Sequence, residues 1–233
     1  MTKHSNNIFL SDGKLVDAGR QILVGCEESQ VITIALRKAG FTAFSCDIQD
    51  CSGGYPQWHI KGDIFEVIDQ KKWTDIILHP PCTKLAVSGN GTYAKGKGRF
   101  NERLEAVKWT QRLWDKAISK CDNVAMENPI GVLNNLGNFP KPQYIQPWQF
   151  GHGETKKTGL WLKGFEPLVP TEIVEGREQR IWKMPPSKER AKLRSKTYPG
   201  IANAIVEQWF LKRVGEKILL RANTPKPSSL AQA

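Results

Sequence analysis

Short apolar runs alternate with helical spacings through the first half of the chain. Residues 21–26, QILVGC, form an apolar run that ends at glycine, which predicts a strand buried on both faces. Val31, Ile34, Ala35 and Lys38 then recur at helical spacing over 31–39, and Gly40 stops that helix. A second strand is predicted over 42–46, with Asp47 just past its end. The stretch 49–61, rich in Gly, Pro, Ser and aromatic residues, reads as a loop. A short helix over 63–70 and a third strand over 74–78 follow, the strand running into His79-Pro80-Pro81-Cys82. This alternation specifies an α/β fold with a parallel sheet. Ligands of such sheets sit beyond the carboxyl ends of the strands. Glu27, Glu28, Asp47, Asp63 and the His-Pro-Pro-Cys turn all fall there.

The second half is less regular. Residues 85–98 hold Gly89, Gly91, Gly96 and Gly98 with little apolar periodicity, and read as a mobile loop. An amphipathic helix is predicted over 101–120, with Leu104, Val107, Gln111, Trp114 and Ile118 on one face and basic residues on the others. A fourth strand over 122–126 ends in Glu127-Asn128-Pro129. Strands over 143–150 and 157–162 are separated by a Gly-His-Gly-Glu turn in which His152 is expected to be solvated. A helix over 201–219 closes the fold, and Trp148, Trp161, Trp182 and Trp209 are expected mostly in the core. The expected organisation is an extension over 1–20, one domain over 21–222, and a disordered tail over 223–233.

Length and composition narrow the class. The 233 residues suit one well-buried domain, and 39% hydrophobic residues is too many for a disordered chain. No apolar run approaches the roughly 18 residues of a membrane span, and the polar N-terminus lacks a signal-peptide stretch. A cytoplasmic protein without a membrane partner is therefore expected. Cys26, Cys46, Cys51, Cys82 and Cys121 form no disulfide framework and read as free thiols. Cys26, Cys46, Cys51 and His59 match no compact zinc spacing, so no metal is expected.

The net charge of +11 favours a polyanionic partner, of which nucleic acid is the commonest. Eight Lys or Arg lie in 95–120, including Lys95, Lys97 and Arg99, and eight more in 177–196. Arg177, Arg180, Arg190 and Arg194 are candidate contacts to backbone phosphates.

Pro80-Pro81-Cys82 is the sharpest local feature. Two prolines fix the backbone, so the next side chain is presented in a set direction. A cysteine held this way is either a nucleophile or a small buried residue in a rigid turn. Glu127-Asn128-Pro129 follows the next strand, so its carboxyl group can converge on the same cleft and assist a ring under attack. Its alternative reading is a helix cap.

Taken in order, these residues resemble the DNA (cytosine-5)-methyltransferases, most closely the compact phage and prophage members of that family. The matching order is Gly25 to Glu28, Asp47, Asp63, Pro81-Cys82, Glu127-Asn128 and Gly200-Ile201-Ala202-Asn203, from Ile22 to Phe210. The resemblance implies a Rossmann-like class I S-adenosylmethionine-dependent methyltransferase fold, with helices on both faces of a mostly parallel sheet. It implies methyl transfer from S-adenosylmethionine to cytosine carbon 5 of DNA, in a restriction-modification or phage-protection setting. Cys82 would add to the ring and Glu127 would support ring nitrogen 3. Gly25, Glu27, Glu28, Asp47, Asp63, Pro80 and Asn203 would face the cofactor. A minimal recognition region would lie around 130–195, with Lys156 and Lys157 standing in for an arginine-bearing strand. The target base must be flipped out of a duplex or come from a single strand.

Three departures keep other functions open. The first loop has one glycine where typical members have two or three, and Pro129 stands where valine is usual. The His-Pro-Pro-Cys-Thr turn leans towards the proline-rich motif of amino-methyltransferases. The alternatives are therefore methylation of an exocyclic nitrogen on cytosine or adenine, and a non-catalytic DNA-binding relative.

Overall fold

The computed structural model describes residues 8–11, 14–17, 19–185, 187 and 190–215. The expected tail over 223–233 and the last residues of the closing helix lie outside them. Within the expected N-terminal extension, β1 (Ile8–Ser11) and β2 (Lys14–Asp17) form an antiparallel hairpin separate from the main sheet.

The main sheet has seven strands: β3 (Ile22–Gly25), β4 (Ala43–Asp47), β5 (His59–Lys61), β6 (Asp75–Leu78), β7 (Asn123–Pro129), β8 (Gln143–Ile145) and β9 (Thr158–Lys163). Their spatial order is β5-β4-β3-β6-β7-β9-β8. The first five in that order run parallel, and β9 runs antiparallel between β7 and β8. Counted from β3, the order is 3-2-1-4-5-7-6 with the seventh strand reversed, which is the class I methyltransferase fold.

The helices are α1 (Val31–Lys38), α2 (Ile64–Gln70), α3 (Asn90–Tyr93), α4 (Phe100–Lys120), α5 (Leu133–Leu136), α6 (Arg180–Lys183), α7 (Arg190–Ser195) and α8 (Pro199–Ile205). Strand alternation sends Ile22, Val24, Ile77 and Ala125 into a core with α1 and α8. Leu23, Ile76, Leu78, Val124 and Met126 face the opposite core, with α2 and α4. Both faces of the central strands are covered, which explains their unbroken apolar runs. None of the described helices is long and apolar enough to cross a membrane.

Several elements differ from expectation. β5 lies inside the expected loop over 49–61. After α8 the backbone widens into a π-helical turn, Val206–Leu211, which buries Trp209 and Phe210; Trp209 Nε1 donates to Glu166 O at 2.8 Å. Trp161 is buried as expected and Trp148 is half-buried under Arg177, while the Trp182 side chain lies outside the described residues.

The expected mobile loop over 85–98 contains a 3-10 turn, Val87–Gly89, followed by α3. Arg103 on α4 organises it. The predicted apolar face of α4 is rotated, because Arg103 and Thr110 are buried while Leu104 and Gln111 are only half-buried. Arg103 donates from Nε to Lys84 O (2.6 Å), from Nη1 to Asn90 Oδ1 (2.8 Å) and from Nη2 to Ala86 O (3.2 Å). Replacing it with methionine keeps much of the stem packing and strands three acceptors. Arg103→Met is expected to lose about 3 kcal/mol of stability. Urea unfolding of the variant checks this, and an unchanged midpoint would contradict it.

Candidate active site

The strand register builds the site. Gly25, Cys46, Leu78 and Met126 pair across one row of β4, β3, β6 and β7. The next residue on each chain segment is Cys26, Asp47, His79 or Glu127, and all four line one cleft of about 1090 Å³. Pro80, Pro81 and Cys82 line the same cleft, so the thiol and the Glu127 carboxyl open into a shared space.

The two segments are laced together beyond the sheet. Asn128 Nδ2, fully buried, donates to Pro80 O at 2.8 Å. Leu85 and Ala86 donate their backbone N–H to Cys82 O at 3.0 and 2.9 Å, so the chain turns helically straight after the cysteine. Val132 N donates to Leu85 O (3.0 Å) and Val87 N to Ile130 O (2.9 Å), with Gly131 against the Leu85 carbonyl. Any side chain at 131 would collide with that carbonyl, so this close approach requires glycine.

Electrostatics set the two groups apart. Burial pushes the Cys82 thiol above its ordinary value and the Glu127 charge adds to this, while Lys156 and Arg194 oppose it. Burial also works against the Glu127 carboxylate. His79, Lys156 and Thr158 outweigh it, leaving that carboxyl below its usual range and ionised at neutral pH. His79 Nδ1 lies 3.2 Å from Glu127 Oε2.

Burial likewise raises Cys26, Cys46 and Cys121, Cys46 to about 12. The unfolded chain loses thiol protons first, near about pH 8.5. The stability these thiols contribute is therefore complete below that pH and is lost as pH rises towards their folded values. Guanidinium midpoints are expected to fall between about pH 7.5 and about pH 9.5, and a Cys46→Ala variant should show a shallower fall.

The first-strand side of the cleft carries Glu28, Ser29, Asp47 and Gln49. Asp47 Oδ1 accepts from Gln49 N at 3.0 Å, and its Oδ2 takes no hydrogen bond from the described residues. Cys26 and Gln30 hold φ of 59° and 58°, so this loop follows a glycine-favouring path without glycine there. Glu27 lines the cleft, but both its oxygens serve the start of α1. They accept from Ile32 N (2.6 Å), Thr33 N (3.3 Å) and Thr33 Oγ1 (2.7 Å).

Three residues expected on the cofactor are not among the cleft-lining residues. Gly25 packs against Ile64 and Leu78, where any side chain would clash. Asp63 is exposed and caps α2, accepting from Phe65 N at 2.7 Å. Asn203 is exposed on α8.

Of the expected nucleic-acid contacts, Arg99, Lys156, Arg190 and Arg194 line the cleft. The other cations in that set lie elsewhere. Lys95 and Lys97 are exposed, Lys157 sits over Tyr144 and Arg177 over Trp148. Arg180 pairs with Glu154 at 2.8 Å, and Glu154 also accepts from Tyr198 Oη at 2.6 Å. His152 is not a solvated turn residue: its Nε2 accepts from Gly200 N at 2.9 Å and its ring packs on Tyr198. These contacts brace the segment carrying Lys156.

Two cleft residues, His79 and Tyr93, were given no role by the sequence. The period of the chain placed His79 at a strand end, where its polarity was a usable signal. Tyr93 is buried under Arg99, 5.0 Å from the ring centre, and nothing in its glycine-rich surroundings pointed to it. Among the described residues no cluster of His, Cys, Asp or Glu is arranged to hold a metal.

No protein-family model and no curated protein matches this chain. Among solved structures it aligns with a candidate DNA modification methyltransferase encoded within an E. coli prophage, at 12% identity over 72% of this chain and 56% of that one, TM-score 0.42. It aligns with the Entamoeba histolytica methyltransferase EhMeth at 14% identity, over 69% of this chain and 57% of that one, TM-score 0.44. The S. pombe Dnmt2 methyltransferase gives 15% identity over 70% and 54% of the two chains, TM-score 0.41. The chain thus spans little more than half the length of these methyltransferases.

Proposed function

We propose that this protein is a DNA methyltransferase that transfers a methyl group from S-adenosylmethionine to cytosine carbon 5 through a covalent Cys82 adduct. The observation that carries this reading is the opening of Cys82 and Glu127 into one cleft whose wall also holds Lys156, Arg190 and Arg194. The first-strand side suits the cofactor chemically. The Oδ2 oxygen of Asp47 is open to a ribose hydroxyl, and Glu28 and Ser29 stand beside it. Bound there, S-adenosylmethionine would supply an electrophilic methyl group.

Cys82 gives its thiol proton to solvent, and a sulfur lone pair bonds to carbon 6 of the cytosine. The electrons of the 5,6 double bond move into the ring. Glu127, protonated from solvent as the base docks, lends that proton to nitrogen 3, where negative charge develops, and takes it back as the 5,6 double bond re-forms, while Lys156 stabilises the thiolate. After carbon 5 is methylated it loses its proton to a solvent base. The carbon–sulfur bond then breaks and returns the electron pair to Cys82. Arg190 and Arg194 face phosphates flanking the extruded base. Because β8 and β9 belong to the sheet, sequence recognition falls to 130–142 and 164–195 within the broader 130–195 region.

One observation favours a second reading. The Cys82 thiol is held protonated at neutral pH, and transfer to an exocyclic amino group needs no thiolate. Incubation with DNA and methyl-labelled cofactor, followed by nucleoside mass analysis, separates the two. Labelled 5-methylcytosine supports the first reading and a labelled N-methyl nucleoside the second. No label in any nucleoside leaves the non-catalytic DNA-binding relative.

A further inference from the structure

His79 is a titratable side chain of the cleft to which the reaction above gives no step. Its side chain is 11% exposed, its Nδ1 lies 3.2 Å from Glu127 Oε2, and its Nε2 is buried without a partner. A neutral imidazole has one donor nitrogen and one acceptor nitrogen. Only the tautomer with the proton on Nδ1 gives the Glu127 carboxylate a donor, and it leaves the Nε2 lone pair buried. The ring is anchored at its base: His79 N donates to Gly25 O at 2.9 Å, and Pro80 fixes the next peptide.

The groups facing this ring come from four segments. They are Glu127 on β7, Glu27 in the loop between β3 and α1, Lys156 ahead of β9, and Cys82 in the same turn. Glu27 is committed to the start of α1. Lys156 donates to Lys196 O at 3.2 Å. His79 and Thr158 are the described side chains that hydrogen-bond the Glu127 carboxyl, and of the two His79 is the one held in the Pro80-Pro81-Cys82 turn.

We infer that His79 is a positioning residue: its Nδ1–H clamps one oxygen of Glu127 and so fixes the carboxyl for contact with the target base. This rests on the methyl-transfer reading. A glutamate left to its own rotamers spends most of its time out of reach, and a misplacement of about 1 Å costs on the order of 100-fold in rate.

Side-chain geometry supplies the test. In His79→Asn the amide nitrogen takes the place of Nδ1 and keeps the donor without titrating. In His79→Gln the amide nitrogen sits nearer the place of Nε2, and His79→Leu removes both. The Asn variant is expected to keep kcat within about fivefold of the wild type, while Gln and Leu lose about 100-fold with KM for DNA nearly unchanged. Nitrogen NMR of the four histidines reads the same pair without turnover. It should show the Nδ1–H tautomer at 79.

A Leu variant with wild-type kcat, an Asn variant as slow as Leu, or an Nε2–H tautomer would overturn the assignment. A wild-type enzyme that methylates no nucleoside sinks the methyl-transfer reading, and the positioning role falls with it. The NMR measurement still reports whether the His79–Glu127 bond exists, so the two failures are told apart.

Discussion

Replacing Cys82 with serine is expected to lower methyl transfer to cytosine carbon 5 on the order of 10⁴-fold while leaving cofactor binding and thermal stability unchanged. A serine hydroxyl is nearly isosteric with the thiol, so the laced turn from Pro80 to Ala86 is kept. Its oxygen is not ionised at any pH the fold survives. The wild type should show a matching pH signature. Only the thiolate attacks, and both burial and the Glu127 charge raise the Cys82 pKa. The kcat/KM for DNA should therefore climb tenfold per pH unit through neutrality and go on climbing past the ordinary thiol range. Single-turnover transfer of labelled methyl measures both quantities. A serine variant with near-wild-type activity would end the covalent mechanism and favour attack by an amino group.

Removing the acid at Glu127 is the second large effect. Glu127→Gln is expected to lower kcat by about 10²- to 10³-fold, with a smaller change in KM. The amide oxygen can still accept from His79 Nδ1–H, so the side chain stays in place and the loss reports proton transfer rather than position. Glu127→Ala should be slower still, because the clamp is lost as well. Stability follows the depressed carboxyl. Its folded value lies below its unfolded one, so its contribution is present above about pH 4.3 and is lost as pH falls through the folded value. The Gln variant should accordingly unfold with less pH dependence on the acid side. Steady-state kinetics and urea unfolding between about pH 3 and about pH 7 check the pair. Unchanged kcat in the Gln variant would remove Glu127 from the reaction.

The central strands were legible because burial on both faces demands uninterrupted apolar residues, as in 22–25 and 76–78. The same argument fails for β5, a three-residue edge strand in a stretch whose prolines and glycines signal a loop. Helix α4 was legible in extent but not in phase. Arginine at 103 reads as a solvent position, and only the three carbonyl-type acceptors brought from 84–90 make its burial favourable. Those acceptors come from a segment that composition marks as mobile, so the order of that segment was hidden by the same fact.

The site was legible where it depends on strand ends and illegible where it depends on loop partners. Asp47 ends β4, Glu127 lies in the carboxyl-end half of β7 and Cys82 stands four residues beyond β6, so their convergence follows from topology. Asn203 was placed by motif order alone, and Asp63 by motif order together with its place near a strand end, where a helix cap is its other reading. The structure shows Asp63 occupied as a helix cap and Asn203 on an exposed helix face. Glu27 illustrates a third case: it reaches the cleft wall, yet its oxygens are consumed by α1, a hydrogen-bonding demand no spacing reveals. His79 was visible as a polar residue at a strand end, and its partner emerged only when β6 and β7 were seen side by side.

The alignment of Gly25, Cys46, Leu78 and Met126 gives the site a common datum. Insertions in surface connections leave that datum untouched, so the connections can be remodelled for new target sequences while the chemistry stays in place. A single residue added within β6 has the opposite consequence. It would turn the strand over, exchange the contents of the two apolar layers, and carry the thiol away from the carboxyl in one step.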